Sequence, residues 1–408
     1  MVSNPAHNSM KSAYIVDIIR TPIGKFAGSL ASVRPDDLAA HVIIKLLERN
    51  QNVDPSLIED VIFGAANQAG EDNRNVARMA LLLAGLKIET GGVTVNRLCA
   101  SGLQAIMDAS RAIQLGEGKI YIAGGSESMS RAPFVMSKAE SAYSRNVEIF
   151  DTSIGWRFAN PKLVDLFYPF SMGETAENVA SQWKISRTEQ DEFAHSSQLK
   201  YSLAHQGSKF DAEIVSVEIL RKKEEVVIFA KDEQPRLSSM QVLAGLRPVF
   251  KKDGTVTAGN SSGINDGAAA CLVVSEETLK ELDLKPMARI VSVAIAGVNP
   301  DTMGIGPVPA TRKALKRAGL KINDLDLIEL NEAFASQSLA CIRDLELNPE
   351  IVNVNGGAIA IGHPLGCSGA RISGTLIHEM QKRTKAKYGL ATMCVGVGQG
   401  AAVIYEKC

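Results

Sequence analysis

Three stretches of the sequence place a cysteine or a histidine among small residues, a combination suited to nucleophilic acyl chemistry. Cys99 follows the run VTVNRL and precedes ASGLQAI, so a strand pattern ends at the thiol and a helical pattern begins there. His363 lies in GGAIAIGHPLGCSGA and Cys394 lies in TMCVGVGQGAA. A thiol can attack a carbonyl carbon, an imidazole can carry its proton, and backbone N–H groups in glycine loops can bind the oxyanion that forms.

Each of these residues also has a simpler interpretation. Unpaired N–H groups and the helix dipole lower a thiol pKa at a helix N-terminus, which would favour a reactive Cys99. Taken alone, however, such a cysteine is more often a buried packing residue, and a loop histidine such as His363 is more often only hydrogen-bonded. Asn331 adds a polar residue after the run LDLIEL. Because α/β folds assemble their sites at strand ends, the four residues together favour an active site.

The elements that would position these residues follow from the alternation of short apolar runs with helical patterns. AYIVDII at 13–19 predicts a strand, and Pro35 opens a helix whose apolar positions are Leu38, Val42 and Leu46. DVIFGAANQAG, VTVNRLC and KIYIAGGSESM supply three more apolar runs, with helical patterns between them. This pattern predicts an α/β protein built on a layered sheet.

The second half of the chain repeats the first. ARIVSVAIAGV parallels AYIVDIIRTPI, and three more pairs of segments follow in the same order, offset by roughly 260 to 275 residues. We therefore predict two similar halves, residues 11–129 plus 264–286 and residues 287–408, with equivalent loops at one seam. A loop domain at 130–263, which contains both tryptophans, is predicted to cover the site.

Composition excludes several classes of protein. The 408 residues carry a net charge of -1, with 44 basic and 45 acidic side chains intermixed, which offers little attraction to nucleic acid or to an anionic membrane. The six cysteines form no C-x-x-C pair and lie near no paired histidines, so neither a disulfide framework nor a metal site is expected. Without a signal-peptide pattern or a membrane-length apolar run, the expected location is the cytoplasm.

The motifs VNRLCASG, NEAF, GGAIAIGHPLGCSGAR and MCVGVGQG, in that order, together with GTVTAGNSSGINDGAAA, resemble those of the thiolases. The resemblance covers essentially residues 11–408. It implies a duplicated thiolase fold with αβαβα layers, and an acyltransferase that cleaves a 3-oxoacyl-CoA with CoA into acetyl-CoA and a shortened acyl-CoA, or runs the reverse Claisen condensation. It also implies CoA and acyl-CoA as substrates, no metal or other cofactor, and a homodimer or homotetramer.

Roles for individual residues also follow from the resemblance. Cys99 would be the nucleophile and Cys394 the acid/base. His363 would activate Cys99 and, with a water held by Asn331, bind the thioester oxygen, while the amides of Cys99 and Gly396 would bind the acyl-enzyme oxygen. Ser262 would contact the pantetheine arm and Arg236 the adenine or its phosphate. The remaining substrate or CoA contacts would be Met172 and Phe334.

Two departures from the short-chain biosynthetic thiolases point to the degradative branch. Ser171 stands where those enzymes have a histidine, which predicts a smaller neutral group at the acyl pocket, and Val397 and Gln399 interrupt the last glycine motif. Together with DTSIGWRFANP at 151–161, these features resemble thiolases of β-oxidation or of 3-oxoadipyl-CoA-like substrates. The alternatives are a biosynthetic acetoacetyl-CoA thiolase, a β-ketoacyl synthase and a non-catalytic acyl-CoA-binding protein. A synthase should have a second histidine at Cys394, and a non-catalytic protein should lack one of the reactive residues.

Overall fold

The computed structural model describes residues 11–220 and 225–408, and its elements fall into three consecutive parts of the chain. The part up to residue 129 contains β1 (Ala13–Arg20), β2 (Gly24–Lys25), α1 (Pro35–Arg49), β3 (Asp60–Gly64), α2 (Val76–Leu83), β4 (Gly91–Val95), α3 (Ser101–Leu115) and β5 (Ile120–Ser128). The part from 130 to 263 contains β6 (Phe134–Met136), β7 (Ile149–Asp151), α4 (Pro161–Leu166), α5 (Met172–Gln182), α6 (Arg187–Gln206), β8 (Val217–Leu220), β9 (Val226–Phe229) and α7 (Met240–Ala244). The last part contains β10 (Asn265–Ser275), α8 (Glu276–Glu281), β11 (Ala288–Gly297), α9 (Pro307–Ala318), β12 (Leu327–Leu330), α10 (Ala335–Asp344), α11 (Ala358–Ile361), α12 (Leu365–Lys382), β13 (Tyr388–Val395) and β14 (Gln399–Lys407).

The local sequence signals account for these elements. The AYIVDII run forms β1, and α1 begins at Pro35, whose fixed φ suits the first helical position. As predicted, Leu38, Val42 and Leu46 lie on the buried face of α1. The four apolar runs of the first half thus form strands as predicted, and three of them, β1, β3 and β5, are largely buried while β4 is not.

The two halves share one strand order, which confirms the duplicated fold. In the first half the order across the sheet is β4, β3, β5, β10, β1, and in the second half it is β12, β13, β14, β11. The position equivalent to β4 is taken in the second half by Val352, which makes an isolated parallel bridge to Ile328. The segments paired by the internal repeat therefore have equivalent places in the two sheets.

The layers are those of an αβαβα sandwich. Side chains of α3 and α12 pack with residues from both sheets in one shared core. Helices α1 and α2 cover the outer face of the first sheet, and α9 and α10 cover that of the second. The sheets also meet at one edge, where Tyr14 pairs with Arg289 and Ile15 with Ala288.

Glycines bring the first turns of the two central helices into contact. A Cβ atom at Gly102 would lie 2.6 Å from the carbonyl oxygen of Gly366, and one at Gly369 would lie 2.2 Å from the backbone nitrogen of Leu103. Only glycine permits such a close backbone approach. The turn that carries Cys99 at the start of α3 and the loop that carries His363 at the start of α12 thereby reach the same place.

The inserted part is tied to the first half by buried ion pairs. The Arg20 guanidinium, at the end of β1, donates to Glu213 and Asp232 at 2.7 Å each, and all three side chains are nearly inaccessible to water. Breaking such a pair leaves an uncompensated buried charge, so these contacts fix the insert relative to β1. The exact domain boundaries at 129/130 and 263/264 stay a prediction. Within the described residues, no helix has the length and apolar character needed to cross a membrane.

Candidate active site

The turn between β4 and α3 holds Cys99 in a fixed conformation. Leu98 has a φ of 46°, a left-handed value that costs a residue with a Cβ about 1–2 kcal/mol. Its N–H donates to Asn96 Oδ1 at 2.8 Å, and its carbonyl accepts from Ser101 Oγ at 2.6 Å. Ser101 Oγ also accepts from the Arg97 N–H at 2.9 Å. These bonds hold the strained turn, so the partly buried Cys99 thiol has one defined position.

The predicted lowering of the Cys99 pKa is wrong for the protein without substrate. Burial raises the pKa of the Cys99 thiol to about 11, although hydrogen bonds from the N–H groups of Gly396 and of Cys99 itself act in the lowering direction. The charge of Glu127 raises it further. The thiol is therefore neutral near pH 7, and its attack on a carbonyl requires a base.

The second thiol lies beside the first in an apolar pocket. Cys394 is 1% exposed, and its pKa is raised well above the ordinary value by burial and by the charge of Cys99. Its pocket is formed with Phe334 and Met172 and with further apolar side chains from the insert and the second half, Ala176, Val256, Met303 and Ala333. A Cβ atom placed at Gly396 would lie 3.6 Å from Met172 Sδ, so Gly396 lies next to the same group of side chains. The structure thus brings together Cys99, Cys394, Gly396, Met172 and Phe334.

His363 is held in one tautomer by Ser368. The Ser368 hydroxyl has a single proton, which it donates to the carbonyl of Pro364 at 2.7 Å. At the 2.6 Å contact between Ser368 Oγ and His363 Nδ1, the imidazole is therefore the donor. The Nε2 atom is left unprotonated and free to accept a proton.

The surroundings also keep this imidazole neutral. Burial lowers the pKa of His363 to about 3, and the positive charge of Arg371 lowers it further. Asn331 Nδ2 lies 3.4 Å from His363 Nε2, while Asn331 Oδ1 is buried without a hydrogen-bond partner in the described part of the chain. His363 and Asn331 therefore lie together, and the Asn331 carbonyl is available to a water or a substrate.

A buried glutamate joins the His363 loop to the first half. Glu127, at the end of β5, accepts backbone N–H groups of Ala66 at 2.9 Å, Asn67 at 3.0 Å and Gly366 at 2.8 Å. Burial raises its pKa to about 7, against the lowering effect of these three bonds. In addition, Asn265 Oδ1 accepts the N–H of His363 at 2.9 Å. These contacts cross the seam between the halves at the catalytic loop.

We expect Ser368→Ala to lower kcat/KM for acyl transfer by about 10- to 100-fold, because the Nε2-protonated tautomer of His363 then becomes accessible. The 15N chemical shifts of the ring of His363 measure the tautomer directly. Ser373→Ala is the matched control, since it removes a buried hydroxyl from the same helix. Unchanged ring shifts and activity in Ser368→Ala would contradict the role of Ser368.

The two residues proposed for CoA both lie in the insert. The Ser262 N–H donates to the carbonyl of Ala333 at 3.0 Å, which places Ser262 near Phe334. Arg236 is exposed, and its guanidinium contacts the carbonyl of Ala258. It borders a cavity of about 140 Å³ that His195 also lines. The roles of both residues stay predictions.

The sequence analysis overlooked three residues, Ser368, Glu127 and Asn265, although all three stand in motifs that were noted. The roles of Glu127 and Asn265 depend on contacts with backbone distant in sequence, and that of Ser368 depends on the direction of its hydrogen bonds. Ser171 forms a capping box with Glu174 at the start of α5, which its S-x-x-E spacing indicates, and its place at the acyl pocket stays a prediction.

Comparison with known proteins agrees with this arrangement. Residues 13–277 match the family described as "Thiolase, N-terminal domain", and residues 284–407 match that described as "Thiolase, C-terminal domain". A 3-oxoadipyl-CoA/3-oxo-5,6-dehydrosuberyl-CoA thiolase of Escherichia coli (strain K12) is 55% identical over 401 residues, which are 98% of this chain and 100% of that protein.

Solved structures share the complete fold. The acetyl-CoA acetyltransferase of Bacillus anthracis superimposes with a TM-score of 0.92 at 42% identity, covering 98% of this chain and 100% of that chain. Human mitochondrial 3-ketoacyl-CoA thiolase in complex with CoA gives a TM-score of 0.90 at 39% identity, covering 98% of this chain and 99% of that chain. The likeness thus extends over both halves and the insert.

Proposed function

This chain belongs to the thiolase family, and we propose that the 3-oxoacyl-CoA it cleaves has an acyl chain ending in a carboxylate, as in 3-oxoadipyl-CoA. The enzyme is an acyltransferase of the thiolase type, and its similarity to degradative thiolases agrees with the predicted cleavage reaction. The observation that carries the substrate proposal is the 55% identity over the whole chain to a thiolase named for 3-oxoadipyl-CoA.

The reaction begins with attack of the Cys99 sulfur on the C3 carbonyl carbon of the 3-oxoacyl-CoA, and the thiol proton passes to His363 Nε2 as the C–S bond forms. A separate ion pair would be unfavourable, because burial raises the pKa of Cys99 to about 11 and lowers that of His363 to about 3. Breaking the C2–C3 bond leaves the shortened acyl group on Cys99 and releases the enolate of acetyl-CoA.

Cys394 completes the cleavage by protonating the enolate carbon. Its raised pKa keeps the proton on sulfur near pH 7, so the thiol is ready to act as the acid. CoA then gives its thiol proton to the Cys394 thiolate and attacks the acyl thioester on Cys99. The shortened acyl-CoA leaves, and His363 returns its proton to the Cys99 sulfur, so both thiols are regenerated. In the direction of condensation, the Cys394 thiolate removes the same proton from acetyl-CoA.

Two sets of hydrogen-bond donors stabilise the oxyanions. Once His363 has taken the proton, its Nε2–H donates to the thioester oxygen of the enolate, with a water bound to Asn331 as second donor. The amides of Cys99 and Gly396 bind the oxygen of the group attached to Cys99, and the contact of the Gly396 N–H with the Cys99 thiol supports this placement. Donors of this kind, fixed before the reaction, contribute several kcal/mol to rate acceleration.

This chemistry requires a nucleophile, an acid/base and oxyanion donors, so CoA and acyl-CoA act as substrates and no metal or other cofactor takes part. The CoA complex of the human thiolase supports CoA as a ligand of this chain, and Ser262 and Arg236 are the residues proposed to contact it. A β-ketoacyl synthase is disfavoured by family membership and by a thiol at Cys394. A non-catalytic scaffold is disfavoured because Cys99, His363 and Cys394 are all present.

The substrate proposal is tested by thiolysis of acetoacetyl-CoA, 3-oxohexanoyl-CoA and 3-oxoadipyl-CoA, with acetyl-CoA release as the measurement. We expect kcat/KM to be about 10-fold or more higher for 3-oxoadipyl-CoA, because a site that pairs a charged group rejects analogues lacking it. A preference for acetoacetyl-CoA would instead support the biosynthetic alternative, for which the similar Bacillus anthracis protein is a precedent.

The protein is also proposed to be a cytoplasmic homodimer or homotetramer. In the described chain β4 is a sheet-edge strand, and Val93 within it is 41% exposed. An unpaired edge with an exposed apolar residue is suited to pairing with a second copy. Light scattering coupled to size-exclusion chromatography tests this, and a monomer at micromolar concentration would contradict it.

A further inference from the structure

The segment from Thr152 to Phe158 joins the Cys99 side of the site to the Met172 side. At its start, Asn67 Nδ2 donates to the side-chain oxygen of Thr152 at 2.9 Å and to its carbonyl at 3.2 Å. Asn67 follows β3, and the carbonyl of the preceding residue, Ala66, accepts from Asn96 in the Cys99 turn at 2.9 Å. The beginning of the segment is therefore fixed next to the nucleophile's turn.

The end of the segment is fixed next to the apolar pocket. Trp156 Nε1 donates to the carbonyl of Phe170 at 3.0 Å, two residues before Met172. Phe158 packs edge-on against Phe150, with ring centroids 5.0 Å apart. Two anchored aromatic residues thus flank Arg157, and the Trp156 contact ties its backbone to the segment that leads into Met172.

Arg157 carries a charge that the described chain does not neutralise. Its side chain is only partly exposed, and within residues 11–220 and 225–408 it makes no ion pair and no side-chain hydrogen bond. A guanidinium offers five N–H donors in a fork that matches a carboxylate, so a partly buried one without partners is suited to an anionic ligand.

Other arginines near this side of the site are already engaged. Arg131 donates to Glu71 through two nitrogens, and Arg34 pairs with Glu71 at 3.1 Å and with an aspartate. Arg97 is directed along α3 and across the seam, donating to Gln104 and to Gln399 at 2.7 Å each. Unlike these three arginines, Arg157 has a guanidinium that remains available for an additional negative charge.

We infer that Arg157 binds the terminal carboxylate of the acyl chain and thereby selects 3-oxo dicarboxylic acyl-CoA substrates, an inference that rests on the proposed function. The C3 carbonyl must lie at Cys99, and in 3-oxoadipyl-CoA the carboxylate carbon is only three carbons farther along the chain. A group that binds that carboxylate must therefore lie close to the apolar pocket, and the segment with Arg157 is tied to Phe170, two residues before Met172. No other covalent step is involved, since the carboxylate is bound and released unchanged.

The test compares 3-oxoadipyl-CoA with 3-oxohexanoyl-CoA, which has the same chain length but a methyl group in place of the carboxylate. In Arg157→Gln we expect kcat/KM for 3-oxoadipyl-CoA to fall by about 30- to 100-fold, the value of a charge-assisted bidentate contact. The value for 3-oxohexanoyl-CoA should change by less than about threefold, which also shows that the variant is folded. In Arg157→Lys we expect kcat/KM for 3-oxoadipyl-CoA to fall by about 5- to 10-fold, because lysine keeps the positive charge but cannot bind the carboxylate through two nitrogens.

Arg145→Gln is the matched control, since it removes the same charge from an exposed position in the insert. It should leave the ratio of the two kcat/KM values unchanged. If the wild type prefers 3-oxoadipyl-CoA and Arg157→Gln retains that preference, Arg157 does not bind the terminal carboxylate. The proposed function would still stand. If the wild type itself has no preference for 3-oxoadipyl-CoA, both proposals are wrong. Equal losses on both substrates with a raised KM for CoA would assign Arg157 to CoA and overturn the inference.

Discussion

Cys99→Ala is expected to abolish thiolysis, lowering kcat by about 10⁴-fold or more. Alanine keeps the β carbon of the turn but removes the only atom to which the acyl group can be attached. The surrounding hydrogen bonds of Asn96 and Ser101 use other atoms, so the turn itself should persist. The loss therefore reports on nucleophilic chemistry and is measured as acetyl-CoA formed from a 3-oxoacyl-CoA and CoA.

Mass spectrometry after incubation with acyl-CoA independently identifies the cysteine that carries the acyl group. The wild type should carry an acyl group on Cys99, which is partly buried, while the exposed Cys408 serves as an internal control for unspecific acylation. Acylation confined to Cys408, or near-normal turnover by Cys99→Ala, is incompatible with the assigned nucleophile.

The fold could be predicted from the sequence because its signals are local and are repeated. AYIVDII and ARIVSVAIAGV each form a buried strand, and their common place in two sheets follows from the internal repeat. The turn at Cys99 could also be predicted, since an apolar run ends there and a helical pattern begins. What the sequence analysis did not foresee is the joining of the two sheets at Tyr14 and Arg289, which depends on the packing of the halves.

The electrostatic state of the site could not be predicted from local sequence. A helix start beside Cys99 indicated a lowered pKa, yet burial by parts of the chain far apart in sequence raises it. Likewise, which nitrogen of His363 is protonated depends on whether the Ser368 hydroxyl donates to the Pro364 carbonyl or to His363 Nδ1. No sequence motif specifies that hydrogen-bond direction. Burial and hydrogen-bond direction are properties of the folded chain, so they appear only with the coordinates.

The two thiols also constrain each other. Because the charge of Cys99 raises the pKa of Cys394, ionising both thiols at once is unfavourable. The Cys99 thiol is itself neutral near pH 7, because burial raises its pKa to about 11, so this repulsion opposes only the doubly ionised state. Acylation removes the ionisable proton of Cys99, and Cys394 is then the one of the two thiols that can ionise and act as the base.

Cys394→Ala should separate the two halves of the reaction. Without its acid, cleavage of the C2–C3 bond should slow by about 10³- to 10⁴-fold, in the range ascribed to general acid–base catalysis. Exchange of an acyl group between acyl-CoA and CoA through Cys99 requires no carbon protonation, so it should persist within about 10-fold of the wild-type rate. Both rates are measured on the same preparation, with isotopically labelled CoA for the exchange.

Cys271→Ala provides the matched control for this variant. Both substitutions remove a buried thiol from a central strand, since Cys271 lies in β10 and Cys394 in β13. Because each substitution leaves a cavity of the same size, the free energy of unfolding should fall by a comparable amount in the two variants. Only Cys394→Ala removes a proton donor from the site. If Cys394→Ala cleaved 3-oxoacyl-CoA as fast as Cys271→Ala does, Cys394 would be a packing residue of the pocket. If it instead lost acyl exchange along with cleavage, Cys394 would also act in the transfer of the acyl group between Cys99 and CoA, because that is the only chemical step the two reactions share.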